Sequence, residues 1–543
     1  MYDADMMTIR FDTHIPDSWI LLSLATTIAS FLLFRALRKS KTKYHYPPGP
    51  KGIPVFGNIL QLPPRYPGEK LLEWGKQYGD MFTLQLGARK WVFVNSYSTA
   101  RELLDRRAKL YSDRPEFPVT QDILSGGNRI VMMGNTPLWR NLRKIMHSLL
   151  MASNSDTYAP FQDVESRTLL WQYLQRPEEF YKHGARFANS AISDPIFSSI
   201  RRGSRTKDPS RPNKNSVFGR RTSMDDPKVQ LLFSTIDDFM ETQASPSTSM
   251  IEQFPGLVKL LPRALQWYRP KAERVFRKTI GVYASFFEEL EQRIKQGEDP
   301  KCFARDMSVM ADKHGFNAAQ KYFCAGSIIE AGSDTTRNQI NVMLAAAAKY
   351  PGWVRTAQAQ LDAVCGEAAH LPSFDDWHAL PYMHATIKES LRWRPNMTAS
   401  GTPRALSADD SFGGYTFEAG TVFSYNHYGL SHDGKQFPDQ HDAFRPERFL
   451  DDDLYDPLKG HLGFGVGRRI CPGSHLAVRN MFLSFARLLY CFDFEEIPGR
   501  EINVLEIDPL AHDHTPFQIR IVPRSERHVA LIERECGLVG REI

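Results

Sequence analysis

A mainly helical globular body, organised around one thiol-bearing glycine loop and carried behind a single N-terminal apolar span, is the architecture this sequence predicts. Three observations point there. The 543 residues are 42% hydrophobic and 24% charged, a balance that folds and buries a large core. Apolar residues recur at helical spacing in several segments, most fully in "SHLAVRNMFLSFARLLY" at 474–490. Between residues 18 and 34, "SWILLSLATTIASFLLF" carries no charge. Length alone would divide the chain into about three or four domains.

The first element in order is that apolar run. Extended through Leu37, with Arg35 reaching back toward the surface, it approaches the ~20 residues that cross a bilayer. Asp3, Asp5, Asp12 and Asp17 precede it, and Arg35, Arg38, Lys39, Lys41 and Lys43 follow. A cleaved signal peptide wants positive charge ahead of its apolar core, so residues 1–43 read as a membrane anchor with a basic flank. Positive charge on the C-terminal side places the following body in the cytoplasm. "YPPGPKGIPVFGN" at 46–58 has four prolines and three glycines and cannot continue a helix. Residues 44–58 are therefore set apart from 59–543, the expected main body.

Net charge is +6, but it is local. The basic flank supplies much of it, and "SDPIFSSIRRGSRTKDPSRPNKN" at 193–215 adds six basic against two acidic residues. The remainder is slightly acidic, which argues against a basic face for nucleic acid. The polar stretch interrupts what otherwise reads as helix, "YKHGARFANSAI" on its left and "SVFGRRTSMDDPKVQLLF" on its right. Its composition favours disorder. It is expected to be a tolerated insertion or a translated intron, in preference to a basic loop facing a membrane or a protein partner.

The chemistry concentrates in a few stretches. "FGVGRRICPG" at 464–473 sets Cys471 among three glycines and two arginines. The six cysteines, at 302, 324, 365, 471, 491 and 536, have neither zinc-motif nor disulfide-framework spacing. Pro472 fits the first position of a helix, whose free N–H groups would favour a thiolate at its start. Gly465, Gly467 and Gly473 would let the backbone pass close to something large and flat. A haem whose iron takes one thiolate meets that description; an ordinary buried cysteine is the alternative for an isolated thiol.

"TPLWRNLRK" at 136–144 puts Trp139 and Arg143 on one helix face, and "KESLRWRP" at 388–395 does the same for Glu389 and Arg392. "FCAGSIIEAGSDTTRNQ" at 323–339 carries Gly332, Asp334 and Thr335. "GTPRALSADD" at 401–410 carries Arg404, and "FRPERF" at 444–449 carries Arg448. Standing alone, such helical charge pairs are common and weak.

In this order the stretches resemble those of the cytochromes P450. Residues 464–473 match Phe-x-x-Gly-x-Arg-x-Cys-x-Gly at all five fixed positions, Phe464, Gly467, Arg469, Cys471 and Gly473. The resemblance spans residues 45–525 or so, and it implies one fold in place of several domains. That fold is mainly α-helical with a small β-rich region near the N-terminal side, around a buried haem b, preceded by one N-terminal transmembrane helix. Residues 44–58 resemble the proline-rich hinge of microsomal P450s and are expected as a hinge. Cys471 would be the axial metal ligand, with Phe464, Gly467, Arg469 and Gly473 around it. Trp139, Arg143 and Arg404 would bind the cofactor through its propionates. Glu389, Arg392 and Arg448 would lock the core beneath the haem, a structural role.

The resemblance makes Gly332, Asp334 and Thr335 catalytic. Gly332 would clear space for a diatomic ligand. Thr335 would turn its hydroxyl inward and loosen a helical hydrogen bond, and Asp334 would link it to bulk water, a relay that protonates bound oxygen. The implied reaction is monooxygenation of a hydrophobic small molecule with O2. Electrons would come from NADPH through NADPH-cytochrome P450 reductase, at the endoplasmic reticulum membrane. "MSVMADKHGFNAAQKYFCAGSIIEAGSDTT" is similar in texture to fungal microsomal P450s of secondary metabolism, such as those similar to O-methylsterigmatocystin oxidoreductase. Polyketide, terpenoid and alkaloid substrates stay open. The pocket would be lined by the loop before Trp139, the helix carrying Thr335, residues 395–403 and the turn at 511–517. Two other activities share the scaffold. One is a haem-thiolate isomerase or dehydratase needing neither O2 nor NADPH, and the Asp334–Thr335 pair counts against it. The other is a non-catalytic haem protein that binds a ligand, and the anchor counts against that.

Overall fold

The computed structural model describes residues 26, 43–63, 67–197, 227–298, 302–396, 401–504, 507 and 515–540. The expected anchor, apart from Thr26 and Lys43, and residues 198–215 of the expected insertion lie outside the described residues. No described helix is long and apolar enough to cross a membrane.

Twelve described helices exceed ten residues. The first six are α1 (Gly68–Tyr78), α2 (Pro137–Leu150), α3 (Ala159–Gln175), α4 (Phe180–Phe197), α5 (Pro227–Ala244) and α6 (Arg269–Lys295). The others are α7 (Phe303–Lys313), α8 (Ala318–Lys349), α9 (Pro351–Cys365), α10 (Pro381–Trp393), α11 (Ser474–Cys491) and α12 (Glu526–Gly540). Eight short strands accompany them: β1 (Met81–Leu86), β2 (Arg89–Val94), β3 (Arg404–Ala405), β4 (Asp410–Phe412), β5 (Tyr415–Phe417), β6 (Val422–Tyr425), β7 (Phe492–Glu496) and β8 (Ile519–Pro523). The mainly helical expectation therefore holds.

The 32 residues of α8 make a rod about 48 Å long. Its start is fixed by a capping box: Asn317 Oδ1 accepts from Gln320 N, and Gln320 Oε1 accepts from Asn317 N, each at 2.9 Å. Helices α4, α6 and α11 pack around it, and residues 336–348 are buried without exception. Thr136 caps α2 by accepting from Trp139 N at 3.1 Å, with Pro137 in the first turn. Helix α4 runs to Phe197, so the first five residues of the expected insertion continue a helix.

The main sheet has strand order β1-β2-β6-β3. Strands β1 and β2 pair antiparallel, β2 and β6 parallel, and β3 and β6 antiparallel. The β region is thus shared between the N-terminal side and residues 404–425. Residues 44–58 are not a free hinge but a strap on this sheet. Pro48 O accepts from Thr83 N at 3.0 Å, His45 O from Thr416 N at 2.7 Å, and Asn58 Oδ1 from Gln85 N at 2.8 Å. Their prolines remove donors that a strap facing one edge does not need. At the other end, α12 packs on α3 with Leu531, Ile532 and Cys536 buried and Glu535 paired to Arg167 at 3.0 Å.

Candidate functional site

The cysteine loop is closed by Cys471 N donating to Phe464 O at 2.9 Å. Gly467 sits at φ +61°, and a Cβ there would lie 2.1 Å from Leu104 O, so no other residue fits. Helix α11 begins at Ser474 with Gly473 as its N-cap. Pro472 therefore precedes the helix and does not open it, because the loop backbone first turns toward the sulfur. Burial pushes the Cys471 thiol up, while the Gly473 N–H and the Arg143 charge pull it down. The other five cysteines are buried; Cys471 keeps an open face.

Beside this loop, three arginines expected from the motifs meet a fourth. Arg143 Nη2 donates to Ile470 O. Arg404 donates to Val466 O at 2.7 Å and Leu104 O at 3.1 Å. Arg469 donates to Ser112 O and Met133 O, each at 2.8 Å, and lies 3.8 Å over the Trp139 ring. Arg114 joins them, donating to Val131 O at 2.8 Å and Thr402 O at 2.8 Å. Burial and the neighbouring guanidinium groups lower Arg469 to about 9, and the same causes push Arg114 well down. Arg469 Nη1 is buried with no partner. Crowded cations with an unused donor call for anions, and two haem propionates match in charge and chemistry. The residues present fit the group.

On α8 the residues flanking the motif are buried, Ile328 and Ile329 on one side and 336–348 on the other, yet Ala331 and Thr335 are exposed. They share one face, and Thr335 Oγ1 donates to Ala331 O at 2.6 Å. The helix stays continuous through this stretch. Asp334 rises to about 6: burial raises it, Arg337 lowers it, and Asp237 and Glu330 raise it. Gly332 is a correction. A Cβ there would meet Ile192 of α4 at 2.7 Å, so this glycine admits a neighbouring helix, and the open face belongs to Ala331 and Thr335.

Glu389, Arg392 and Arg448 come together in a separate place. Arg392 grips Glu389 with two bonds of 2.6 and 2.7 Å, and Arg448 Nε lies 3.4 Å from Glu389 Oε1. Arg392 also donates to Ser431 O, His441 O and Ala443 O, which ties α10 to the segment leading into the cysteine loop. A second thiol cluster, Cys365 with His370 and Asp376, brings ligand atoms within 4.8 Å of one another. Cys365 is 1% exposed and Asp376 already accepts from Ser373 N and Oγ, so nothing there resembles a haem seat. Residues 397–400 and 511–514 of the expected pocket lining lie outside the described residues.

Sequence reasoning missed Arg114, which no motif marks, and Arg129 with Glu330 and Tyr283, whose contact depends on three distant segments. Only Glu330, a charged residue inside an apolar helical run, carried a signal.

The chain matches the family model described as Cytochrome P450 over residues 47–199 and 214–520. A cytochrome P450 monooxygenase of Aspergillus ruber, fogE, is 31% identical, covering 91% of this chain and 90% of the relative. Another of Hypocrea virens, virE, is 32% identical over 96% and 92%, and one of Aspergillus niger, yanC, 32% over 95% of each. With that coverage added to the thiol loop and the arginine cluster, the chain belongs to the cytochrome P450 family, as a monooxygenase that uses haem b.

Proposed function

We propose that this enzyme inserts one atom of O2 into a hydrophobic secondary metabolite, drawing electrons from NADPH through a membrane-bound P450 reductase. Cys471 is the axial ligand in this reading. The observation that carries it is the open Ala331–Thr335 face between buried stretches of α8, with Asp334 poised near 6 beside it.

When bound, the haem supplies oxygen binding and its reductive activation. The chain does the rest. Arg114, Arg143, Arg404 and Arg469 hold the propionates, and the Gly473 N–H and Arg143 favour the charged sulfur of Cys471. A carboxyl poised near 6 both takes and releases a proton at neutral pH. Asp334 would take one at a carboxylate oxygen and relay it through the Thr335 hydroxyl, which would turn from Ala331 O toward the open face. Arg129 and Glu330 neutralise each other beside this face, which suits an uncharged substrate. Leu257, Leu260, Leu265 and Trp267 are exposed, a surface in keeping with attachment to the endoplasmic reticulum membrane through residues 1–43 and a cytoplasmic body.

The test is co-expression with a P450 reductase and a panel of neutral polyketide, terpenoid and indole scaffolds under isotopically labelled O2. A product carrying one labelled oxygen, formed only with NADPH, is expected. Turnover without NADPH would overturn the reading.

A further inference from the structure

Glu330 leads directly into the open face, yet the proton path does not use it. Its two carboxylate oxygens are taken by different parts of the chain. Oε2 pairs with Arg129 Nη1, from the loop between β2 and α2, and Oε1 accepts from the Tyr283 hydroxyl of α6. Arg129 and Tyr283 are buried and Glu330 is largely so: the Arg129 and Glu330 side chains are 5% and 11% exposed, and Tyr283 1%. Gly326, one turn before Glu330, makes room for this; a Cβ there would lie 2.4 Å from the Tyr283 ring. The Arg129 guanidinium carbon also lies 3.5 Å from the ring centre of Phe239 on α5, and its Nε donates to Ser125 Oγ at 3.2 Å. Four elements meet at one carboxylate.

The same loop is held at a second point, where Arg114 Nε donates to Val131 O. Around these two anchors Ile130, Met132 and Met133 are buried, while the Val131 side chain is 48% exposed. A buried ion pair adds little net stability over apolar packing of the same shape, but it penalises every arrangement that separates the charges. Its effect here is to allow one position of the loop.

We propose that Glu330 is a positioning residue: tied to Arg129 and Tyr283, it fixes loop 125–133 against α8 next to the open face, and so sets how a bulky ligand lies at the haem. This rests on a haem pocket facing Ala331 and Thr335, and the test separates the two. The holoprotein is titrated with imidazole and with clotrimazole, an imidazole carrying a trityl group, followed at the haem absorption band. Amide exchange is read in parallel by mass spectrometry, in the protein with and without haem.

In Glu330→Ala, exchange across 125–133 should speed by about tenfold or more. Clotrimazole affinity should fall about tenfold while imidazole stays within about twofold. Arg129→Met should match it, and the double variant should be no worse than either single change, because both cut the same tie. If Glu330→Ala does not take up haem, Glu330→Gln keeps the volume and the Tyr283 bond, loses the charge, and is read in the same way. Unchanged exchange, or faster exchange with an unchanged ratio of the two affinities, would overturn the assignment. A parent protein that binds neither azole would overturn the haem pocket and the proposal with it.

Discussion

Gly332→Ala adds one methyl group to the side of α8 turned toward Ile192 of α4. That Cβ would lie 2.7, 2.9 and 3.2 Å from Ile192 Cγ1, Cδ1 and Cγ2. Carbon atoms rest at about 3.5–4.0 Å, so α4 must shift by roughly 1 Å or Ile192 must leave its rotamer. Overpacking of this kind costs about 1–3 kcal/mol, and alanine's helix preference over glycine offsets about 1 kcal/mol of it. Ile192→Ala removes all three touching atoms. Alone it opens a cavity and costs about 2–5 kcal/mol; beside Ala at 332, the new methyl partly fills that space. The double variant should be more stable than the sum of the singles by about 1–2 kcal/mol. Thermal inactivation of the four holoproteins, read by the surviving carbon monoxide spectrum, measures the cycle. Additive losses would refute the packing role. So would a Gly332→Ala protein as stable as the parent that no longer binds carbon monoxide, and that result would return Gly332 to the oxygen pocket.

Other outcomes follow from the same geometry. Cys471→Ser should abolish the shifted carbon monoxide spectrum of a thiolate-bound haem, and a spectrum that survives would move the ligand elsewhere. Thr335→Ala should leave that spectrum intact while product falls by ~10-fold or more per NADPH consumed, measured as coupling; normal coupling would take the hydroxyl out of the relay. The Asp334 carboxyl is raised in the folded state, from 3.8 to about 6, so its ionised form is the strained one. Its burden is fully present above pH 6 and fades as pH falls toward 4, by about 3 kcal/mol in all. Asp334→Asn should therefore gain stability over the parent above pH 6 and lose that gain below pH 4 in denaturant melts; parallel pH profiles would contradict the assignment. Removing residues 1–43 should release most of the protein from membranes with haem content retained, assayed by fractionation, since the strap at 44–58 stays tied to the sheet.

The cysteine loop and the Glu389–Arg392 pair are legible in the sequence because their chemistry is local. Three residues apart on a helix is a contact that spacing alone dictates, and glycine around Cys471 is a demand of the backbone itself. Arg114 is not legible. It reaches the loop across 355 positions of chain, and only the packed fold brings it beside Arg469. Gly332 misleads for a related reason. Spacing says that a side chain is missing but not which neighbour fills the gap, and here that neighbour is Ile192. Residues 46–58 mislead in the opposite sense: four prolines exclude a helix, but exclusion of helix does not make a hinge, and the backbone groups that remain bond to the sheet.

The four clustered guanidinium groups of Arg114, Arg143, Arg404 and Arg469 bear on how this enzyme is made. A nascent chain must bring like charges together, and the carboxylates of a bound tetrapyrrole would relieve that repulsion whether or not iron is present. Protoporphyrin without metal should therefore rescue much of the folding, and its dimethyl ester, which has the same ring and no charge, should not. Supply of the pigment, ahead of any step in turnover, would then set how much enzyme a cell can accumulate.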